Sequence, residues 1–355
     1  MNPFTGKGFL FCAEILYNDI DNNNHRILRI GVNQMKQGRT ILAVLLLLLT
    51  AGCSLEEQQS KKTDDKPSNE TSEVTDYTII EASAQQIEHI QGIGYPGNDP
   101  GLYLASSEGF KFFKDGIWHE TTSLNHDYMG FQAVKDGFIV SGHPDKNSVI
   151  KNALGIVKST DKGASFKKLA FSGTSSFPFL AAGYDTNIIY MINQEKNEEL
   201  AAGVYRSQDA GKTWDPVSLQ GLEADTLGMI AAHPSNPEIM AMSTRSGIFY
   251  SEDKGETVKL VTEPIMATAL TFTKNSLYYA SADQEKVQMN KIDLITMEDS
   301  QVKIPFLSYD NPITYIASDQ KSDGKLAVST YLKDVYESAD SGENWKLLLK
   351  NGRIE

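Results

Sequence analysis

The sequence is poor in the residues that most often announce chemistry. Of 355 residues only two are cysteine, Cys12 and Cys53, too few for a disulfide framework or a cysteine-built zinc site. Only three are tryptophan. Beyond residue 52 arginine nearly vanishes, leaving Arg206, Arg245 and Arg353. Positive charge is outweighed, with 33 Lys and Arg against 46 Asp and Glu, a formal net charge of −13. Such a surface repels phosphate backbones, which excludes nucleic acid as a natural partner. No apolar run reaches the roughly 20 residues needed to span a hydrocarbon core. What is present, 40% hydrophobic and 22% charged side chains, suffices for a packed core and rules out a wholly disordered chain.

The first organised signal begins at Met35. Lys36 and Arg39 lead into nine unbroken apolar residues, 41–49, and then Thr50-Ala51-Gly52-Cys53. A basic segment, a short apolar run and small residues before a cut are the layout of a secretory signal peptide. The cysteine directly after Ala51-Gly52 resembles the lipobox of bacterial lipoproteins. That resemblance implies a signal peptide over 35–52, a diacylglycerol on Cys53, and a location on the extracytoplasmic face of a bacterial cell membrane. Two acyl chains anchor stably where one is marginal. Residues 1–34 precede the basic segment and show no sustained period, so translation is expected to start at Met35, leaving 1–34 as a spurious extension. Between Ser54 and Asp76 only Leu55 and Val74 are sizeable apolar residues, amid seven acidic and three basic side chains. Segment 53–76 is therefore expected to be a disordered tether.

From 77 to the end an internal repeat sets the architecture. Four segments share one pattern: Ser159-x-Asp161-x-Gly163-x-x-Phe166, Ser207-x-Asp209-x-Gly211-x-x-Trp214, Ser251-x-Asp253-x-Gly255-x-x-Val258 and Ser338-x-Asp340-x-Gly342-x-x-Trp345. Their aspartates lie 48, 44 and 87 residues apart, the last about twice the others. A fifth, eroded copy is expected at Lys114-Asp115-Gly116-Ile117-Trp118, and one repeat near residue 297 has lost the pattern. Aspartate accepts hydrogen bonds from turn amides and glycine permits positive φ, so each copy closes a hairpin. The terminal aromatic then buries its ring beside the neighbouring hairpin. An EF-hand is excluded, because the further oxygen ligands and terminal glutamate are missing.

The pattern resembles the Asp-box, or BNR, repeat of sialidase-like and sortilin-like β-propellers. Apolar runs rich in small residues precede each copy at 89–95, 129–135, 178–184, 227–233, 267–273 and 313–319. Aligned, they place Ile93, Ala133, Ala182, Ala231, Thr271 and Ala317 in one register, as crowding near a central axis requires. A second strand follows each, at 102–106, 137–141, 188–192, 238–243, 277–281 and 326–329. Units of about 45 residues with four short strands make propeller blades. The predicted fold is all-β, a six-bladed propeller over 77–355, with seven blades as the alternative. Residues 77–80 are expected to add a strand that closes the ring.

The resemblance implies that the boxes are structural and that ligands bind on the opposite face. Loops entering the first strands and leaving the second strands bring His126, Asp127, Tyr128, His143, Asp145, Glu195, Asp225, Arg245, Asp310 and Tyr331 to that face. Of these, Asp127, Asp225 and Asp310 are the candidate catalytic carboxylates, since each comes just before a first strand. His126, Tyr128, His143, Asp145, Arg245 and Tyr331 are candidate ligand contacts. Sialidase chemistry is excluded: that family, as the resemblance implies, needs three arginines from separate blades and an Arg-Ile-Pro segment, and only Arg245 is well placed. No metal site and no cofactor are expected. The preferred reading is a non-catalytic ligand-binding or protein-assembly module, with an extracytoplasmic protein or polysaccharide as partner. The alternative is a glycoside hydrolase acting on cell-wall or environmental polysaccharide, which needs two suitably spaced carboxylates.

Overall fold

The computed structural model describes residues 77–355 apart from Asn147, Asp225, Gln284 and Phe306. The expected extension, signal segment, tether and lipidated Cys53 lie outside the described residues, as does the candidate Asp225.

Among the described residues there is no helix, and strands follow one another throughout. Strands β1 (Ile79–Glu81) and β2 (Gln85–Gln86) lead into six antiparallel meanders. Blade 1 is β3 (Ile90–Gly94), β4 (Leu102–Ser106), β5 (Gly109–Lys114) and β6 (Ile117–Thr121). Blade 2 is β7 (Asp127–Val134), β8 (Gly137–His143), β9 (Ile156–Ser159) and β10 (Lys167–Ala170). Blade 3 is β11 (Leu180–Ala182), β12 (Ile189–Asn193), β13 (Gly203–Ser207) and β14 (Asp215–Pro216). Blade 4 is β15 (Ile230–Ala232), β16 (Met240–Thr244), β17 (Gly247–Ser251) and β18 (Lys259–Leu260). Blade 5 is β19 (Ala267–Phe272), β20 (Ser276–Ala282), β21 (Val287–Asp293) and β22 (Asp299–Val302). Blade 6 is β23 (Ile313–Ser318), β24 (Leu326–Thr330), β25 (Val335–Ser338) and β26 (Lys346–Leu349), and β27 (Arg353–Ile354) ends the chain. The first strands touch in an unbroken cycle, β3 to β7, β11, β15, β19, β23 and back to β3. The chain forms a closed six-bladed β-propeller.

Each box joins the third and fourth strands of its blade, so all four lie on one face. Their geometry repeats closely. The hydroxyls of Ser159, Ser207, Ser251 and Ser338 donate to the following aspartate at 2.8 Å and accept the glycine N–H at 2.8–2.9 Å. The same aspartate accepts the backbone N–H four residues on at 2.9 Å. Its second oxygen accepts from the side chain of that residue, Ser165, Thr213, Thr257 or Asn344. The glycines are left-handed, and so are the residues before them, as at Lys162 (φ 65°) and Gly163 (φ 95°). Two consecutive residues, and not the glycine alone, thus supply the left-handed backbone that closes each box. The tryptophans reach the preceding blade as expected, Trp214 meeting Phe171 at 5.8 Å and Trp345 donating Nε1–H to Lys303 O at 2.8 Å, whereas Phe166 packs beside Tyr128 and Phe138 of its own blade.

The box carboxyls are more acidic than ordinary ones. Asp209 falls to about 2, first because it accepts the Thr213 N–H and then through its side-chain partners. Asp340 is lowered by the Asn344 amide and N–H, while at Asp161 and Asp253 burial opposes and the hydrogen bonds outweigh it. A carboxyl whose folded pKa is depressed stabilises above its unfolded value and loses that contribution as pH falls through the folded one. The boxes' share of the thermal stability should therefore be fully present above about pH 3.8 and be lost in a steep drop between there and about pH 2. Asp209→Asn should flatten that drop, and an unchanged acid profile would mean the box bonds do not form in solution.

Two expectations need correction. The fifth copy is not a box: Lys114 pairs with Ile117, and Asp115 and Gly116 form a two-residue turn with φ of 52° and 85°. Such a turn needs only two left-handed residues, which Asp-Gly supplies. Trp118 still reaches the preceding blade, donating Nε1–H to Leu348 O at 3.0 Å. The N-terminal strand does not close the ring either. β1 adds to the outer edge of blade 1, pairing with β6. Closure comes from β2, which pairs with β27 at the opposite end of the chain.

The predicted hub register holds in full. Ile93, Ala133, Ala182, Ala231, Thr271 and Ala317 all line the axial channel. On the box face, loops between first and second strands join every neighbouring pair of blades. Gly97 N–H donates to Val134 O at 2.9 Å, Lys135 N–H to Tyr184 O at 2.9 Å, and Asp185 N–H to Pro234 O at 2.7 Å. His233 Nε2 lies 3.0 Å from Lys274 O, Ser318 Oγ donates to Phe272 O at 2.7 Å, and Lys321 Nζ donates to Gly97 O at 3.0 Å. This polar belt locks the box-face rim.

Candidate functional site

The opposite face carries the loops that enter first strands and leave second strands. Its densest polar grouping lies over blades 1 to 3. Asp127 opens β7, and His143, its Cα partner, ends β8. Burial pushes the Asp127 carboxyl above the ordinary range, against Gln91 and the charges of His143 and His89, which pull it down. Asp127 Oδ1 and Gln91 Oε1 are both buried and find no hydrogen-bond donor. Gln91 sits at a bulge of β3 and is only 4% exposed. A carboxyl in such surroundings favours its protonated form, which can supply a donor.

His126 and Tyr128 were expected to meet a ligand; both are interior. Tyr128 is fully buried, stacks on Phe110 with centroids 3.9 Å apart, and donates its hydroxyl to Leu124 O at 2.6 Å. His126, 2% exposed, accepts the Asp145 N–H on Nδ1 at 3.0 Å, with Asp145 Oδ2 3.1 Å from the same nitrogen. Burial holds the imidazole below its ordinary pKa despite that carboxylate. The reason for the correction is the alternation of β7: the aromatic residue beside Asp127 points to the core that the sheet must cover. Asp145 is thus engaged with His126 and pins its loop.

The remaining candidates are spread around the rim. Arg245 is exposed in the tight turn between β16 and β17, where Thr244 Oγ1 donates to Gly247 O. Glu195 is exposed in the loop after β12. Tyr331 is half-buried, its N–H donating to Pro312 O at 2.9 Å. Asp310 is exposed and accepts the Ser308 hydroxyl within its own turn. Neither Asp127 nor Asp310 lines the axial channel. Nor does the channel admit much: its volume is about 90 Å³, against roughly 300–1,000 Å³ for small-molecule pockets.

Sequence reasoning missed Ser176, Asn152, His89 and Gln91. Ser176 Oγ lies 3.2 Å from His143 Nε2, and Asn152 O lies 3.3 Å from His143 Nδ1. Ser176 and Asn152 lie in loops outside the repeated segments, whereas His89 and Gln91 fall within the run 89–95, whose spacing marks a strand and says nothing of its polar side chains.

Four structurally equivalent boxes lie on one face of a closed six-bladed ring. Part of this propeller is similar to a known family. Residues 155–321 of the propeller match the sortilin (Vps10) family model, described as sortilin, neurotensin receptor 3. Among solved structures, the propeller is similar to the GH74 xyloglucanase from Xanthomonas campestris, with 15% identity and a TM-score of 0.51 over 77% of this chain and 47% of that one. A GH74 enzyme from Niastella koreensis is also 15% identical, with a TM-score of 0.48 over 75% of this chain and 47% of that chain. YCF48 from Cyanidioschyzon merolae is 12% identical, with a TM-score of 0.44 over 76% and 87%. The propeller spans about half the length of the two GH74 enzymes. At such identity the likeness bears on fold alone. A comparison with curated proteins found no match.

Proposed function

We propose that the protein is a membrane-anchored, extracytoplasmic propeller that binds a polysaccharide or a partner protein across its loop face. The observation that carries this reading is the contrast between faces. The box face is tied together by inter-blade hydrogen bonds, whereas the loop face presents half-buried and exposed polar groups from several blades. The Cys53 lipobox supports anchoring, and the acidic balance of the chain favours neutral or basic ligands over phosphate-rich ones.

One observation favours a glycoside hydrolase instead: a carboxyl raised by burial, as Asp127 is, has the character of a general acid. That reaction needs a second carboxylate nearby. The charges acting on Asp127 are those of His143 and His89, and Asp310 is held by Ser308. Binding without cleavage is therefore the better reading. The test incubates the protein with a polysaccharide panel, measuring both retention and release of reducing ends. Retention without release is expected; release abolished by Asp127→Asn would overturn the reading in favour of hydrolysis.

A further inference from the structure

The joint between blades 2 and 3 on the loop face holds three residues in a particular order. His143 places Nδ1 3.3 Å from Asn152 O and Nε2 3.2 Å from Ser176 Oγ. A carbonyl oxygen can only accept, so in the neutral ring the proton sits on Nδ1. Nε2 is then an acceptor, and the Ser176 hydroxyl donates to it. Hydroxyl, imidazole and a fixed acceptor behind the imidazole stand in the order that an activated serine requires.

The arrangement is held from several sides. Phe177 N–H donates to Ser141 Oγ at 2.8 Å, with Ser141 fully buried and Phe177 1% exposed. This bond ties the residue after Ser176 to the residue two before His143. Asn152 adopts φ 66° and donates Nδ2–H to Gly173 O at 3.2 Å, while Gly173 N–H donates to Ala153 O at 2.8 Å. Phe171, at φ 57°, accepts the N–H groups of Thr174 and Ser175, closing the turn that delivers Ser176. Asn197 Nδ2 donates to Ser175 Oγ at 3.0 Å. Left-handed non-glycine residues on both loops are costly and persist only where the surroundings over-determine them. Across the strand pair, Asp127 is the Cα partner of His143, so the ladder of β7 and β8 fixes the backbone that carries the imidazole.

We propose that Ser176 and His143 form a nucleophile–base pair that hydrolyses short-chain esters carried on a larger molecule. Ser176 Oγ attacks the ester carbonyl carbon as its proton passes to His143 Nε2. The bond from carbonyl carbon to alkoxy oxygen breaks, and the alcohol leaves with that proton. Water then gives a proton to Nε2, attacks the acyl-serine, and releases the carboxylic acid and the free serine. The substrate class follows from the setting. His143 is exposed, and the axial channel is lined by neither residue. The pair therefore suits a small acyl group, such as acetyl, on a molecule lying across the face. This activity departs from the non-catalytic expectation and relies on the preceding reading only for the choice of acyl carrier.

The full chain is assayed with p-nitrophenyl acetate and labelled with a fluorophosphonate, the adduct being located by peptide mass. Label on Ser176 is expected, lost in His143→Gln. Ester hydrolysis should fall about 100-fold in Ser176→Ala and in His143→Gln, the low end of what a positioned proton acceptor contributes. No label, label on another residue, or an unchanged rate in Ser176→Ala overturns the proposal. Labelling of the unaltered protein decides even if a variant misfolds. Polysaccharide retention measured on Ser176→Ala separates the two readings, because binding does not require the hydroxyl.

Discussion

Replacing Phe110 with alanine is expected to cost about 3–5 kcal/mol, the range for truncating a buried aromatic whose site cannot collapse. Phe110 is 1% exposed, stacks on Tyr128, and stands 4.8 Å from Phe138 and 5.9 Å from Phe131, centroid to centroid. These rings come from both blade 1 and blade 2, so one truncation opens a void between two sheets. Backbone hydrogen bonding keeps the sheets from closing over it, since each strand is fixed by its ladder. Tyr128 follows Asp127 directly, so the same substitution should loosen the loop face as well as the fold. Urea unfolding measures the cost; a loss below about 1 kcal/mol would mean that the aromatic joint is not formed.

Removing residues 353–355 should be nearly as damaging, although the segment is short and terminal. Ile354 is 5% exposed and packs in the cluster that joins blade 6 to blade 1, with Ile87, Trp118 and Leu349. Its loss alone is expected to cost about 2–5 kcal/mol, as for burying and then deleting an isoleucine. The deletion also takes away the partner of β2, since Gln85 pairs with Ile354 and Gln86 with Arg353. A ring is closed only while its two ends are held together. The shortened protein should therefore melt lower than Ile354→Ala, and limited proteolysis should cut it first near residues 82–89. Equal melting of the two variants would show that strand pairing adds nothing to closure.

The blades were legible because each had to solve one problem six times. A first strand near the axis must be small, which wrote Ala133, Ala182, Ala231 and Ala317 into one register. A box hairpin needs a carboxylate, a hydroxyl and left-handed backbone at fixed offsets, which wrote Ser, Asp and Gly into four copies. Repetition turned weak local preferences into a strong signal. Asp115-Gly116 shows where that signal misleads, because a two-residue turn uses the same residues as a decayed box.

The loop face offered no such redundancy. Asp127, His143 and Asp310 were reached by topology alone, and topology cannot say which way a side chain turns. Tyr128 and His126 turned inward because alternate residues of a strand must face opposite sides, and the register was set by a bulge between Met129 and Gln132.

The sequence by itself determined the all-β class, the length of the repeat, the small hub and the placement of the boxes, because those properties are local or periodic and each repeat states them again. Only the tertiary structure decided how the ring closes, which candidates are buried, and that Ser176 meets His143. Those depend on contacts between blades, where residues far apart in the chain are brought together once, by packing that no spacing records.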